Sequence, residues 1–284
     1  MYRVKLENQY GEVIELTRNK NYTVTNITGL NPSSAVVNSS ALATMDGAVY
    51  NNSRKNSRNI VMTVLPERDI EANRLNLYRY AQPKYPVRVY FENERRNVYI
   101  DGYVETHECD LFSNRQAAQI SIICPQPFFR ETTENRTIAS SVEPLFEFEF
   151  STEHDVPKEF SRIMKDKEII VENKGDTETG VFIEMHATGD VSDPVIYNRS
   201  TGEFFALNIS MYNGDSVFIN TNPGEKSVKG QNRSGKMDNL MNYMDLESRW
   251  LVLRQGQNVF TYEASGGYEY LHFDITVKDK FEGV

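Results

Sequence analysis

The feature that most constrains this chain is the rhythm of its turn residues. Gly, Asn, Asp and Pro recur at short intervals and cut the sequence into brief runs in which apolar and polar side chains alternate. Alternation with period two places one set of side chains on each face of an extended strand. Frequent turn signals leave little room for long helices. The pattern therefore predicts a mainly β protein built from antiparallel strands.

In the first part of the chain, residues 4–6 and 13–16 flank Tyr10-Gly11 and predict a hairpin. Residues 22–27 alternate and stop at Gly29, 35–38 begin another strand after Asn31-Pro32, and Asp46-Gly47 is a turn dipeptide. The β-branched run 59–65 ends at Pro66. One helix follows: Glu67, Asp69 and Glu71 are suited to the positive end of a helix dipole, and Ile70, Leu77, Tyr78 and Ala81 fall on one helical face. Pro83 and Pro86 close it, and 87–91 returns as a strand. The last two strands of this part, 99–110 and 117–124, fold back around 111–115. That register places Cys124 opposite position 102, some seven residues from Cys109. At about 3.3 Å per residue the sulfurs lie over roughly 20 Å apart, too far for a disulfide. Two free, buried thiols are expected.

The stretch 124–130 (CPQPFFR) ends this part, because its two prolines cannot continue a central sheet. The expected division is 1–130 and 131–284. Charge divides at the same place. Residues 1–130 carry 16 Lys and Arg against 13 Asp and Glu, and residues 131–284 carry 15 against 27. The second part gives alternating runs at 145–150, 168–171, 180–187, 195–197, 204–209, 216–220, 250–253, 256–262 and 271–277, the pattern of an antiparallel β-sandwich. Asp193-Pro194 reads as an interruption. Met237, Leu240, Met241 and Met244 predict a short helix over 236–245.

Composition narrows the chemistry. A mean hydropathy of −0.55 and the lack of a long apolar run exclude a transmembrane span, and the alternating N-terminus is not a signal peptide. An overall charge of −9 argues against general nucleic-acid binding. These properties point to a soluble, folded protein made inside the cell. Nucleotide-loop, serine-hydrolase and zinc-protease motifs are absent. Asn232–Lys236 lacks the glycine and hydroxyl spacing of a phosphate loop. His107 and Cys109 share one strand face without further ligands, so neither a metal nor another cofactor is expected. Glu147 and Glu149 read as the wet face of a strand rather than a glycosidase pair, and His154-Asp155 as a solvated loop. Trp250 and Tyr262 are the candidates for stacking on a sugar ring, which keeps a carbohydrate-binding, lectin-like protein as the alternative function.

Several segments, in order, resemble the distal tail proteins of long-tailed phages (siphovirus-type tail components). In the first part these are 29–35 (GLNPSSA), 45–51 (MDGAVYN), 53–60 (SRKNSRNI), 70–78 (IEANRLNLY), 99–105 (YIDGYVE) and 119–128 (QISIICPQPF). In the second they are 175–180, 189–198, 214–222 and 250–258. The resemblance implies an N-terminal ring-forming domain with one helix, followed by a C-terminal galectin-like antiparallel β-sandwich. It implies a non-enzymatic baseplate component of the virion tail, assembled in the cytoplasm of the bacterial host. Six copies would form a hub ring joining the tail-tube protein to the tail-associated hub protein. The outward sandwich would hold receptor-binding proteins or touch the host surface, and DNA would pass through the ring without sequence-specific binding. Arg54, Arg58, Arg74, Arg95 and Arg96 are candidate ring-interface residues, because Arg is enriched at interfaces.

Overall fold

The computed structural model describes residues 2–43, 46–138, 140–144, 161–165 and 168–284, with the backbone alone at 138, 140–144 and 161–165. The strand expected at 145–150, with Glu147 and Glu149, and the His154-Asp155 loop lie outside the described residues. The chain is mainly β, and it divides into two compact units. One comprises the residues up to Thr133 together with Lys280–Val284; the other is Glu134–Asp279.

The first unit is built on strands β1 (Arg3–Glu7), β2 (Val13–Glu15), β3 (Tyr22–Thr28), β4 (Ala35–Ala41), β5 (Ala48–Lys55) and β6 (Arg58–Pro66), then helix α1 (Ile70–Tyr80). Strands β7 (Pro86–Glu92), β8 (Asn97–Cys109), β9 (Ala118–Cys124) and β10 (Phe129–Glu131) complete the continuous part. The main sheet runs β2-β1-β7-β8-β9-β6-β3, and β10 pairs both with β8 and with the returning segment Lys280–Phe281. Alternation sets the core face: Val4 and Leu6, Ile60, Met62 and Val64, Val89 and Phe91, and Ile120 and Ile122 are all buried in one cluster. The predicted β1–β2 hairpin forms, with Gly11 at φ +79° in its turn.

Helix α1 begins where sequence chemistry places it. The Asp69 carboxylate accepts from the Ala72 N–H at 3.2 Å, and Glu71 sits in the first turn. Leu77 and Ala81 are buried against the sheet, while Ile70 and Tyr78 are half-buried. Both cysteines are free. Cys124 is buried, but Cys109 is only half-buried, because it stands where β8 leaves the sheet core. A Cβ on Gly102 would lie 2.9 Å from the Cys124 sulfur, which fixes the register that separates the two thiols.

The second unit contains β11 (Asn135–Ile138), β12 (Ser140–Pro144), β13 (Ser161–Lys165), β14 (Ile169–Asn173), β15 (Thr179–Gly180) and β16 (Phe182–Ala187). It continues with β17 (Val191–Asn198), β18 (Glu203–Ala206), β19 (Ser210–Met211), β20 (Ser216–Asn220), β21 (Ser227–Gln231) and β22 (Met237–Asn239). The last are β23 (Val252–Leu253), β24 (Gly256–Gly266) and β25 (Leu271–Val277). A six-stranded sheet, β11-β25-β16-β20-β21-β22, and a sheet of β14-β24-β17-β18 with β19 beside β17 are both antiparallel. Their inner faces share one core: Ile183, Val217, Phe273 and Ile275 from the first, and Val171, Ile196, Phe205 and Phe260 from the second. This is a β-sandwich.

Two sequence expectations are corrected here. The segment 236–245 is not a helix: Met237–Asn239 pairs with β21, and only Met241–Tyr243 makes a 3-10 turn. The Leu240 N–H donates to Val228 O, and its side chain packs where a Cβ on Gly230 would stand. Sheet pairing thus overrides the helical spacing. Asp193-Pro194 does not interrupt its strand either. Asp193 adopts φ +48° and donates its N–H to Ile209 O, and β17 runs on in unbroken register with β24.

Candidate functional site

The most unusual surface lies in the first unit. Among the described residues, strands β4 and β5 pair only with each other and form a free-standing two-stranded ribbon. Its side chains are exposed nearly throughout, including Val37 at 61%, Tyr50 at 61% and Val49. The ribbon is held by cross-strand polar contacts: Asn38 Nδ2 donates to Asn52 Oδ1 at 2.6 Å, and Asn51 Nδ2 to Ser40 Oγ at 2.7 Å. Isolated hairpins are marginally stable, and unpaired strand edges are templates for further pairing. A ribbon that combines free edges with exposed Val and Tyr is suited to burial against another chain.

The structure separates the five candidate arginines by role. Arg54 is exposed on β5, in register with Val36, and Arg95 is exposed in the β7–β8 turn. Arg74 is half-buried on α1, where it donates to Gln116 Oε1 and to the Tyr78 hydroxyl, both at 3.0 Å, and covers the Tyr78 ring. Arg96 lies over Phe281 and donates to Gly283 O. Arg58 is 3% exposed. Its guanidinium donates to four backbone carbonyls: Pro127 at 2.7 Å, Asn31 at 2.6 Å, Glu282 at 2.6 Å, and Gly29. It stacks 4.6 Å from the Phe129 ring centroid. Burial lowers its pKa, and the nearby Glu282 carboxylate opposes that shift. Arg58 cannot meet a neighbouring copy as an exposed contact, because it is enclosed by its own unit. It is a clasp on the C-terminal segment, supported by Arg96, by a Lys55–Glu282 ion pair, and by the Val284 N–H donating to Leu30 O at 3.2 Å. Neither the ribbon's isolation nor this clasp has a local sequence signal, since both depend on pairing between distant segments.

The two stacking candidates in the second unit also differ. Trp250 packs on Phe205 at 5.4 Å, with the Lys226 ammonium 5.2 Å from its ring centroid, so its ring is already engaged on the protein. Tyr262 packs edge-on against Phe273 at 4.9 Å and borders an open cleft of about 1180 Å³ that also includes Tyr268, Tyr270 and His272. Trp250 does not line that cleft. Burial raises the Tyr262 pKa, with a smaller contribution from Tyr268. His107 lies apart from both surfaces. Its Nδ1 donates to Ala81 O at 2.8 Å and its ring meets Tyr78 edge-on. Among the described residues, no group of three His, Cys, Asp or Glu side chains is placed to hold a metal ion.

Comparison with known proteins gives these surfaces a context. Residues 174–277 match the family described as siphovirus-type tail component, C-terminal domain. No curated protein sequence matches the chain. The crystal structure of SPP1 Dit, described as a paradigm of hub adsorption apparatus in phages infecting Gram-positive bacteria, superposes with a TM-score of 0.67 at 16% identity. That match covers 98% of this chain and 99% of Dit. A chain of the phage P2 baseplate in its activated, Ca-bound conformation matches with a TM-score of 0.51 at 13% identity, over 100% of both chains. Residues 174–277 of the second unit are thus similar to the C-terminal domain of siphovirus-type tail components, and the whole chain has the fold of SPP1 Dit.

Proposed function

We propose that this chain is a structural, non-enzymatic component of a phage tail tip or baseplate, in which six copies close a hub ring through the first unit. The observation that carries this reading is the free-standing β4–β5 ribbon. A ring of identical subunits needs two different, complementary patches on each copy. The ribbon, with Val37, Val49, Tyr50 and Arg54, supplies one patch that its own unit leaves uncovered. Arg95 is the remaining exposed arginine candidate for the complementary side. The ring would join the tail-tube protein to the tail-associated hub protein and let DNA pass without reading its sequence. The acidic second unit, a galectin-like sandwich in this reading, would carry receptor-binding proteins or meet the host surface. The assembled particle would be a virion tail built in the host cytoplasm.

Light scattering of the purified protein tests the ring. The expected species has roughly six times the 32.7 kDa mass of one chain, and negative-stain images show a central hole. The double substitution Val37→Asp, Tyr50→Asp is expected to give a monomer with unchanged circular dichroism. A wild-type monomer at all concentrations, even with tail-tube protein added, overturns the reading.

A further inference from the structure

The cleft beside Tyr262 carries an inference that does not depend on ring formation. We infer that it is a saccharide-binding site for neutral pyranose units, with Tyr262, Tyr268 and Tyr270 as its stacking surfaces. The mouth is formed by the short 3-10 turn Tyr268–Tyr270 between β24 and β25. Tyr268 is 54% exposed and Tyr270 44%, and sugars present apolar C–H faces that pack on such rings.

The turn that holds these rings is rigid for a local reason. Gly267 sits at φ +70°, and a Cβ there would collide with Asp190 O at 1.8 Å. A Cβ on Gly189 would meet the Tyr270 ring at 2.6 Å, so glycine lets that ring lie directly on the backbone. The carbonyl of Tyr270 accepts from the Thr188 N–H at 2.9 Å and from its hydroxyl at 3.1 Å. The aromatic surface is thus formed before any ligand arrives, which lowers the ordering cost of binding.

The polar lining matches hydroxyl-bearing ligands. Glu168, Glu263 and Glu269 offer acceptors, and Arg199 offers donors beyond its bond to Thr261 Oγ1 at 2.9 Å. A second cleft of about 620 Å³, near Tyr243, is lined by more amides and acids, but these serve their own turns. Asp215 accepts from the Tyr212 and Arg233 N–H groups, Asn232 from Ser234 and Lys236, and Asn239 from Met241. That cleft is a set of capped turns; in the tyrosine cleft Glu263 bonds the Tyr197 hydroxyl, and Glu168 and Glu269 add carboxylates to the lining.

Saturation-transfer NMR of the full chain with methyl glucoside, methyl galactoside and an N-acetylglucosamine trimer tests the site. At least one probe is expected to receive saturation at its ring C–H protons, with little change between low and high salt. Tyr268→Ala with Tyr270→Ala should weaken that binding at least about fivefold, and Trp250→Phe should leave it unchanged. Both tyrosines are exposed, and circular dichroism verifies the fold of each variant. Glu269→Gln provides a second variant on the same cleft, expected to weaken binding without touching a ring. Absence of transfer to all three probes, transfer unaffected by the tyrosine pair, or loss only at high salt, as for a cationic ligand of the three glutamates, overturns the assignment.

Discussion

Removing Arg58 should destabilise the first unit and leave the second untouched. Arg58→Ala strips four backbone carbonyls of one charged donor and empties the space beside Phe129. Hydrogen bonds to charged groups each contribute about 1.5–3 kcal/mol, and a desolvated cation over a ring adds up to about 2 kcal/mol. The cost of burying the guanidinium offsets much of that sum. Breaking a buried charged network typically costs about 3–5 kcal/mol, and that is the loss expected here. In urea, with a slope of about 1–3 kcal/mol per molar, the midpoint should fall by more than about 1 M. Trp250 is the only tryptophan and lies in the second unit. Its fluorescence should therefore report a transition that Arg58→Ala does not move, while far-ultraviolet circular dichroism shows the earlier one. Arg58→Lys should recover only part of the loss, since one ammonium cannot span carbonyls from Gly29, Asn31, Pro127 and Glu282. Deleting residues 281–284 removes the Glu282 acceptor, so its cost and that of Arg58→Ala should be less than additive. A midpoint unchanged within about 0.5 kcal/mol, or an equal shift of the Trp250 transition, refutes the clasp.

Three further outcomes follow from local geometry. Burial lowers the His107 pKa, and its Nε2 is enclosed without a hydrogen-bond partner. The unfolded chain therefore binds the proton first as pH falls. Its stabilising contribution is complete above the unfolded value of about 6.5 and declines below it, by up to about 1.4 kcal/mol per pH unit, until the lowered folded pKa is passed. Urea midpoints between pH 7 and 5 should show this slope, and His107→Gln should flatten it. Burial pushes the Cys124 thiol up to about 12, so a thiol reagent should titrate Cys109 alone in the native protein and both cysteines after denaturation. Rapid native labelling of Cys124, located by peptide mapping, contradicts that burial. Gly29→Ala should cost about 1–3 kcal/mol or more, since Gly29 lies at φ +83° and a Cβ would stand 2.1 Å from Asn59 O; an unchanged melting temperature contradicts it.

The strands and helix α1 were legible because their signals are local. Alternation at 60–64 and 87–91 marks the buried face directly, and Asp69 with Glu71 marks a helix start. The segment 236–245 misled because Leu240, Met241 and Met244 satisfy a helical spacing while the decisive contact, Leu240 over Gly230, comes from another strand. Arg58 misled for a related reason. In sequence it stands among exposed ribbon residues, yet the chain turns inward at β6 and encloses it. Tyr268 and Tyr270 drew no attention beside the single tryptophan. Their importance comes from Gly189 and Gly267, whose geometry is visible only once the backbone is closed.

The return of Lys280–Phe281 to the first unit makes the second unit an insertion, and that has a testable consequence. Phe129 and Arg130 pair with Phe281 and Lys280, so the outgoing and returning strands are adjacent, and a directly opposed pair is separated by about 5 Å. The inserted unit closes its own base: Asn135 Nδ2 donates to Asp279 Oδ2 at 3.2 Å, and Lys278 pairs with Glu134 at 2.9 Å. Among the described residues, its core cluster draws only on residues of this unit. Residues 134–279 expressed alone should therefore fold, with the Trp250 transition kept at its full-length midpoint. Residues 2–133 alone should not reach full stability, because Phe281 and the carbonyl of Glu282 are missing from the Arg58 clasp. Joining Thr133 to Lys280 through a short Gly-Ser linker should restore it, since strand pairing already holds those positions close. A Trp250 transition that collapses in the excised unit, or a first unit equally stable with and without its C-terminal segment, would show that the two units do not fold by the separate cores drawn here.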